Sequence, residues 1–317
     1  MNSGADSDRE LVTRAIAGDR RALARALTLL ERGSPELALA LASARASARP
    51  RAHRIGFTGP PGAGKSTLIA DQAARLRVEG HRVGILAVDP TSAFTGGAIL
   101  GDRVRMSVVA GDPEVFVRSF AARQQPGGLS ETIGEAADLV ALAGFDRVLI
   151  ETVGIGQGDV GVAAVVDTVV VVLVPEAGDL VQGMKAGLVE IGDVIVINKA
   201  DRPGAEAFAA EIRAALELRS QAEPIPAVLL TSAETGAGLA ELAAAIEHLA
   251  AHPAAAGARR RRAVRAHLLS LVAAHVERQF STEARSELEQ AVDQVALEGR
   301  EARHVARELW AKLIARP

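Results

Sequence analysis

The 317-residue chain contains no cysteine and no tyrosine, and aromatic residues make up 3% of it. Without cysteine there is no disulfide and no thiolate metal site, which fits a reducing compartment. With so few rings the core has to be aliphatic and alanine-rich. Lysine is nearly missing too: of 36 Lys+Arg, four are lysine, at Lys65, Lys185, Lys199 and Lys312. Arginine stands in its place elsewhere, so the surviving lysines draw attention. Long apolar runs are also lacking. The run Val169–Val174 is far below the roughly 20 residues that span a bilayer. A net charge of -3 supplies no general attraction to nucleic acid. The first residues carry Asp6, Asp8 and Glu10 without an apolar stretch, unlike a secretory signal, and they are too acidic for a mitochondrial transit peptide. A cytoplasmic protein is expected, with no membrane segment and no nucleic-acid partner.

What is present is an ordinary balance of 49% hydrophobic and 24% charged residues, enough for a large core with additions. Residues 1–50 read as a helical arm. Ser7-Asp8-Arg9-Glu10 has the form of a capping box, Asp19 is placed to cap a second helix, and Ser34-Pro35 opens a third. Residues 51–250 alternate apolar runs with helical stretches: Ile55–Phe57, Val83–Val88, Val115–Val117, Val148–Ile150, Val169–Val174, Val194–Ile197 and Val228–Leu230. Runs apolar on both faces belong in a buried parallel sheet, so the expected class is α/β, with a mostly parallel central sheet and helical extensions at both ends. Residues 251–317 read as a C-terminal helical arm. Its apolar positions, Leu268, Leu269, Val272 and Leu309 among them, exceed what a short arm buries alone, which points to a homodimer. Arg259 to Arg262 reads as a solvated helix start, since no aromatics interleave it. The seven histidines are read as showing no H-x-x-x-H pair and no acidic partner spacing, so no zinc site is expected.

The motif that carries chemistry is Gly59-Pro60-Pro61-Gly62-Ala63-Gly64-Lys65-Ser66-Thr67, a complete G-x-x-x-x-G-K-[ST] phosphate loop between a strand-like and a helix-like run. Its backbone N–H groups turn around a phosphate chain, Lys65 reaches the β- and γ-phosphates, and the Ser66 hydroxyl is a Mg²⁺ ligand. The helix is expected to open at Thr67. After Val148-Leu149-Ile150 comes Glu151-Thr152-Val153-Gly154, a variant of the D-x-x-G motif in which the acid supports Mg²⁺ through water and the Gly154 N–H meets the γ-phosphate. The next residue, Ile155, cannot orient water, so basal hydrolysis should be slow. Asn198-Lys199-Ala200-Asp201 follows an apolar strand and has the form of the guanine reader N-K-x-D. The Asp201 carboxylate accepts from the guanine ring N–H and exocyclic amine, and Lys199 lies along the base. Ser232, Ala233 and Glu234 resemble the second base-contacting loop. Asp89, at a strand end, and Asp102, in a glycine-rich segment, are candidates for the metal and water shell.

Taken in order, these residues resemble the MeaB/ArgK type of phosphate-loop GTPases. The likeness runs through GDRRALARALTLLE (18–31), GPPGAGKST (59–67), VDPTSAFTGGAILGDRVRM (88–106), ETVGIGQ (151–157), GDLVQGMKAG (178–187) and NKAD (198–201). It implies a GTP/GDP-binding, Mg²⁺-dependent hydrolase. It further implies a chaperone of an adenosylcobalamin-dependent acyl-CoA mutase, chiefly methylmalonyl-CoA mutase, and a homodimer joined through the C-terminal arm. By the same resemblance Lys65, Asp89, Asp102 and Glu151 serve hydrolysis, and Asp179, Gln182 and Lys185 serve activation by the partner. Gly158-Asp159 and Glu176 depart from the usual Ser-Glu and Gly of the family. The competing readings are a metallochaperone GTPase of the related nickel-insertion branch, against which the lack of cysteine argues, and a transport-linked ATPase or kinase, against which NKAD argues.

Overall fold

A computed structural model describes residues 3–48, 52–90, 111–122, 128–152, 163–175, 191–218, 225–252, 284–298 and 300–314, with single positions between 261 and 276. The chain divides into two compact units, 1–265 and 266–317.

The first unit opens with three helices: α1 (Ser3–Ile16), α2 (Arg20–Glu31) and α3 (Pro35–Ser47). Asp19 caps α2 by accepting from the Arg21 and Ala22 N–H groups, and Ser34 caps α3 by accepting from the Leu37 N–H, with Pro35 beginning the helix. The capping-box reading of Ser7 is corrected. Helix α1 begins at Ser3, so Ser7 to Glu10 lie inside it. Polar residues in that spacing look like a cap whenever a helix starts a turn earlier.

The alternating segment follows: β1 (His53–Thr58), α4 (Lys65–Val78), β2 (Val83–Pro90), β3 (Val115–Ala122), α5 (Gly128–Leu142), β4 (Arg147–Glu151), β5 (Thr168–Leu173), β6 (Val194–Ile197), α6 (Ala205–Glu217), β7 (Ala227–Leu230) and α7 (Leu239–Ala251). The strands form one seven-stranded sheet in the order β3-β2-β4-β1-β5-β6-β7, and every pairing is parallel. All seven apolar runs are strands, and β1 is the middle strand, paired with β4 on one side and β5 on the other. From β1 the chain crosses to β2 on one side, and later returns to β5, β6 and β7 on the other. This reversal puts a crevice at the carboxyl end of β1, where ligands of open α/β sheets bind.

Helix α4 packs on β1, β2 and β4 and also touches α7, while α5 packs on β2 and β4 and carries α1, α2 and α3 on its outer side. Right-handed crossovers running in opposite directions, β1 to β2 and β3 to β4, put α4 and α5 on opposite faces. The core is aliphatic as expected. Val, Ile and Leu fill the middle of β4, β5 and β6, and Phe57, Phe120 and Phe145 are among the few rings. Polar ties fix the outer helices. Asp138 of α5 is buried and is held by both Arg54 of β1 and Arg45 of α3. Arg20 of α2 donates to the Pro113 and Val115 carbonyls beside β3, and Arg118 of β3 pairs with Glu31 at 2.8 Å. Arg20 thereby meets carbonyls at the start of the border strand, and the Arg118–Glu31 pair ties β3 to α2.

The second unit contains α8 (Arg285–Ala296) and α9 (Ala302–Ile314), which pack on one another. Ala284 and Val305 are buried, and Arg300 pairs with Glu308 at 2.9 Å. Leu268, Leu269, Val272, Val292 and Trp310 are exposed. No helix among the described residues is long and apolar enough to cross a membrane.

Candidate functional site

The carboxyl ends of β1, β4, β6 and β7 bring the motifs together. Strand β1 delivers the chain into the turn Gly59 to Gly64, and α4 starts at Lys65, two residues before the expected Thr67, with Gly64 as its N-cap. Gly64 is in the left-handed region at φ 92° and Gly59 lies at φ 137°. Space as well as dihedral requires glycine here. A Cβ at Gly59 would overlap the Val172 carbonyl, and one at Gly64 would overlap Asn198 Nδ2. The loop therefore touches β5 and the strand end after β6 at backbone distance.

Lys65 is buried, and its Nζ donates to the Gly59 carbonyl at 2.9 Å and the Pro60 carbonyl at 3.2 Å. The ammonium is thus folded over the loop whose N–H groups define the phosphate seat. Ser66 is buried beside it, and its Oγ donates to Glu151 Oε1 at 2.7 Å. A buried hydroxyl and a buried carboxylate meeting at the N-terminus of α4 are hard oxygen donors of the kind Mg²⁺ takes, and Mg²⁺ completes its shell with waters and substrate phosphates rather than an all-protein cage. The residues present fit that ion. Asp89 is the penultimate residue of β2, opposite Ala121 in the β3 register, which places its backbone on the same sheet edge. Asp102 and Gly154 lie outside the described residues, as do Ile155, Asp179, Gln182 and Lys185.

Across the crevice, Asn198 follows β6 and is buried. Its Nδ2 donates to the Ala63 carbonyl at 2.8 Å, and its Oδ1 accepts from the Thr231 hydroxyl at 3.1 Å and the Ala233 N–H at 3.3 Å. One carboxamide thus joins the phosphate loop to the loop after β7. Lys199 adopts φ 58°, the one non-glycine residue with positive φ among those described. That turn redirects the chain so that Asp201 reaches Ser232, whose Oγ donates to Asp201 Oδ1 at 2.5 Å. The Ser232 bond, with backbone help, holds the Asp201 carboxyl below its usual range. It stays ionised, an acceptor only. Glu234 is exposed at the rim. The loop is itself closed by the Ser232 N–H on the Ala237 carbonyl at 2.9 Å.

The sequence singled out Lys65, Ser66, Glu151, Asn198, Lys199, Asp201 and the Ser232–Glu234 loop, and the structure gathers all of these on one edge. It adds two residues that pattern reading passed over, Thr58 and Thr152, whose hydroxyls meet at 3.0 Å. No signal in the sequence pointed to them, since the pairing of β1 with β4 is set only in the sheet. If Phe57 faces Glu151, the next pair is Thr58 and Thr152. A correction concerns the histidines. His248 and His252 stand at the H-x-x-x-H spacing on and just beyond α7, with ring centroids 4.4 Å apart. His252 Nδ1 lies 2.8 Å from the His248 carbonyl. No third His, Cys, Asp or Glu among the described residues completes a metal group.

With this geometry in place, comparison with known proteins is decisive. Residues 23–287 match the family model of the methylmalonyl Co-A mutase-associated GTPase MeaB. The chain belongs to the MeaB family of GTPases. It is 46% identical over 237 residues to a putative GTPase of Pyrococcus horikoshii, covering 74% of each protein. It is 38% identical over 250 residues to the mitochondrial methylmalonic aciduria type A homolog of Mus musculus, covering 73% of this chain and 60% of the mouse protein. Among solved structures it is similar to a LAO/AO transport system kinase, with a TM-score of 0.73 and 26% identity over 100% of this chain and 99% of that one. As a MeaB-family member the chain is a phosphate-loop GTP hydrolase that binds guanine nucleotides.

Proposed function

We propose that this GTPase is Mg²⁺-dependent and that it gates adenosylcobalamin loading of an acyl-CoA mutase and protects that enzyme, methylmalonyl-CoA mutase or a relative being the client. The observation that carries the reading is the union, on one sheet edge, of a phosphate loop, the Ser66–Glu151 pair and the Asn198–Asp201 reader in a chain matched to a mutase-associated family. The mouse relative's name, methylmalonic aciduria type A homolog, points to the same client chemistry.

In this reading Lys65 and the loop N–H groups hold the phosphates, and Asp201 selects guanine. Ser66 and Glu151, with Asp89 and Asp102, hold Mg²⁺, which when bound supplies charge neutralisation at the β- and γ-phosphates. The client accelerates hydrolysis by ordering the loops around the γ-phosphate, with Asp179, Gln182 and Lys185 carrying the signal. The C-terminal arm, 251–317, joins two copies.

The test is GTP turnover with and without a purified adenosylcobalamin-dependent mutase, for the parent and for Lys185→Ala. Acceleration of the parent and loss of most of that acceleration in the variant, with basal turnover kept, is the expected result. No acceleration by any such mutase would remove the client class.

A further inference from the structure

The sheet core is almost free of hydroxyl groups. Strands β4, β5 and β6 are built from Val, Leu and Ile, and the buried threonines sit at strand ends: Thr58 at the end of β1, Thr152 just after β4, Thr168 at the start of β5 and Thr231 just after β7. A buried hydroxyl is costly unless it is bonded, and valine would fill the same volume. Each of these hydroxyls has a partner in another segment. Thr231 bonds Asn198, Thr168 lies 2.9 Å from His53 Nε2, and Thr152 Oγ1 donates to Thr58 Oγ1 at 3.0 Å.

The last pair stands where it has most leverage. Thr58 is the residue before Gly59, so it is the root of the phosphate loop. Thr152 is the residue after Glu151, whose carboxylate accepts from Ser66. The Thr152 N–H also donates to the Phe57 carbonyl at 3.1 Å, carrying the β1–β4 ladder one step past the strands. Successive residues of an extended chain face opposite sides. The threonine pair therefore grips one side of the two strand ends while Glu151 reaches Ser66 from the other. A shift of the β4 end against β1 cannot occur without breaking this hydroxyl bond.

We propose that Thr58 and Thr152 form a positioning latch that sets where the Glu151 carboxylate stands relative to Ser66, and so tunes metal affinity and turnover without touching nucleotide. The inference rests on the GTPase reading of the same site. Thr152→Val keeps shape and removes the bond. It should lower kcat about tenfold, the rate equivalent of one lost buried hydrogen bond, with the GTP KM within about twofold. Titration calorimetry of GDP at graded Mg²⁺ should show the half-saturating Mg²⁺ concentration raised several-fold.

Thr152→Ser should restore both values, since it returns the hydroxyl. Thr58→Val should copy Thr152→Val, and the double Val variant should be no worse than either single one, because all three lack the same bond. Because the double variant leaves no unpaired hydroxyl, it is expected to fold at least as well as the single ones. Parent-like kcat and Mg²⁺ dependence in Thr152→Val would overturn the latch, as would recovery in the double variant, which would assign the defect to a stranded hydroxyl. Failure of the GTPase reading looks different, since the parent itself would then neither bind GDP nor turn over GTP.

Discussion

The Asn198 carboxamide donates to the Ala63 carbonyl at 2.8 Å, tying residues 135 apart in sequence. The end of β6 and the phosphate loop are thereby joined, and on the proposed reading base recognition would be felt at the phosphates. Asn198→Ala leaves the Ala63 carbonyl and the Thr231 hydroxyl without this partner. At about 1–3 kcal/mol for each stranded group, a drop of about 2–6 kcal/mol in unfolding free energy is expected, together with weaker GDP binding. Chemical denaturation and calorimetry read the two effects. Unchanged GDP affinity would separate the brace from nucleotide binding.

Asp201→Asn turns an acceptor into a donor opposite the guanine ring N–H. GTP affinity should fall by more than about tenfold, since a charge-assisted pair gives way to two opposed donors, and xanthosine triphosphate should become the better ligand. Ser232→Ala, which removes the 2.5 Å bond to Asp201, should weaken GTP by about tenfold or less while keeping the preference for guanine. A competition titration with both nucleotides distinguishes these outcomes, and an unaltered GTP constant in Asp201→Asn would assign the base contact elsewhere.

Lys65→Ala and Glu151→Gln separate binding from hydrolysis. The first removes the buried ammonium at the phosphate seat and should abolish tight GTP binding. The second keeps a group able to meet Ser66 but removes its charge. It should bind GTP and turn it over slowly, with a weakened response to Mg²⁺. Single-turnover kinetics after a binding titration make the comparison. Parental hydrolysis by Glu151→Gln would make Glu151 a structural acid.

His53 gives a pH signature. Burial pushes its imidazole below the usual value, with Asp167 and Glu247 pulling upward and Arg147 pushing further down. The folded state therefore refuses a proton that the unfolded chain takes up. Its stabilising effect is full above the unfolded value of about 6.5 and is lost as pH falls from there toward the depressed folded value. His53→Gln should show a shallower loss of melting temperature between about pH 7 and pH 5 than the parent. Parallel curves would place the folded value at its ordinary position.

Leu268, Leu269 and Val272 are exposed in a single chain, at 56%, 63% and 58%. A surface that apolar is usually covered. Sedimentation at micromolar concentration should show a dimer for the parent, and Leu269→Glu should shift it toward monomer while leaving GDP binding intact. A monomeric parent would end the dimer proposal.

Much of the site was legible because its chemistry is local. A phosphate loop, an E-x-x-G and an N-K-x-D each need their residues side by side, so spacing reveals them. The strands were legible because a sheet covered on both faces demands uninterrupted Val, Ile and Leu, as in β5 and β6. Their ends were not. Strand β2 runs to Pro90 and β3 to Ala122, since backbone pairing continues where side-chain apolarity stops. The order of strands was likewise hidden, and with it every contact that depends on order. Asn198 on Ala63, Thr152 on Thr58 and Arg54 on Asp138 join segments that only the sheet brings together. Ser7 misled because a polar spacing alone cannot distinguish a helix's beginning from its second turn.

Asp138, gripped by Arg45 from the N-terminal helices and Arg54 from β1, has a practical consequence for anyone preparing shorter versions of this protein. Cutting the gene so that translation begins near His53 would delete Leu23, Leu27, Leu37 and Leu41, all buried, and lay bare the alanine- and leucine-lined outer side of α5. The half-neutralised Asp138 would be left to a single arginine. Such a shortened chain would carry every nucleotide motif and still be a poor reagent, prone to precipitate at the bench before its first assay.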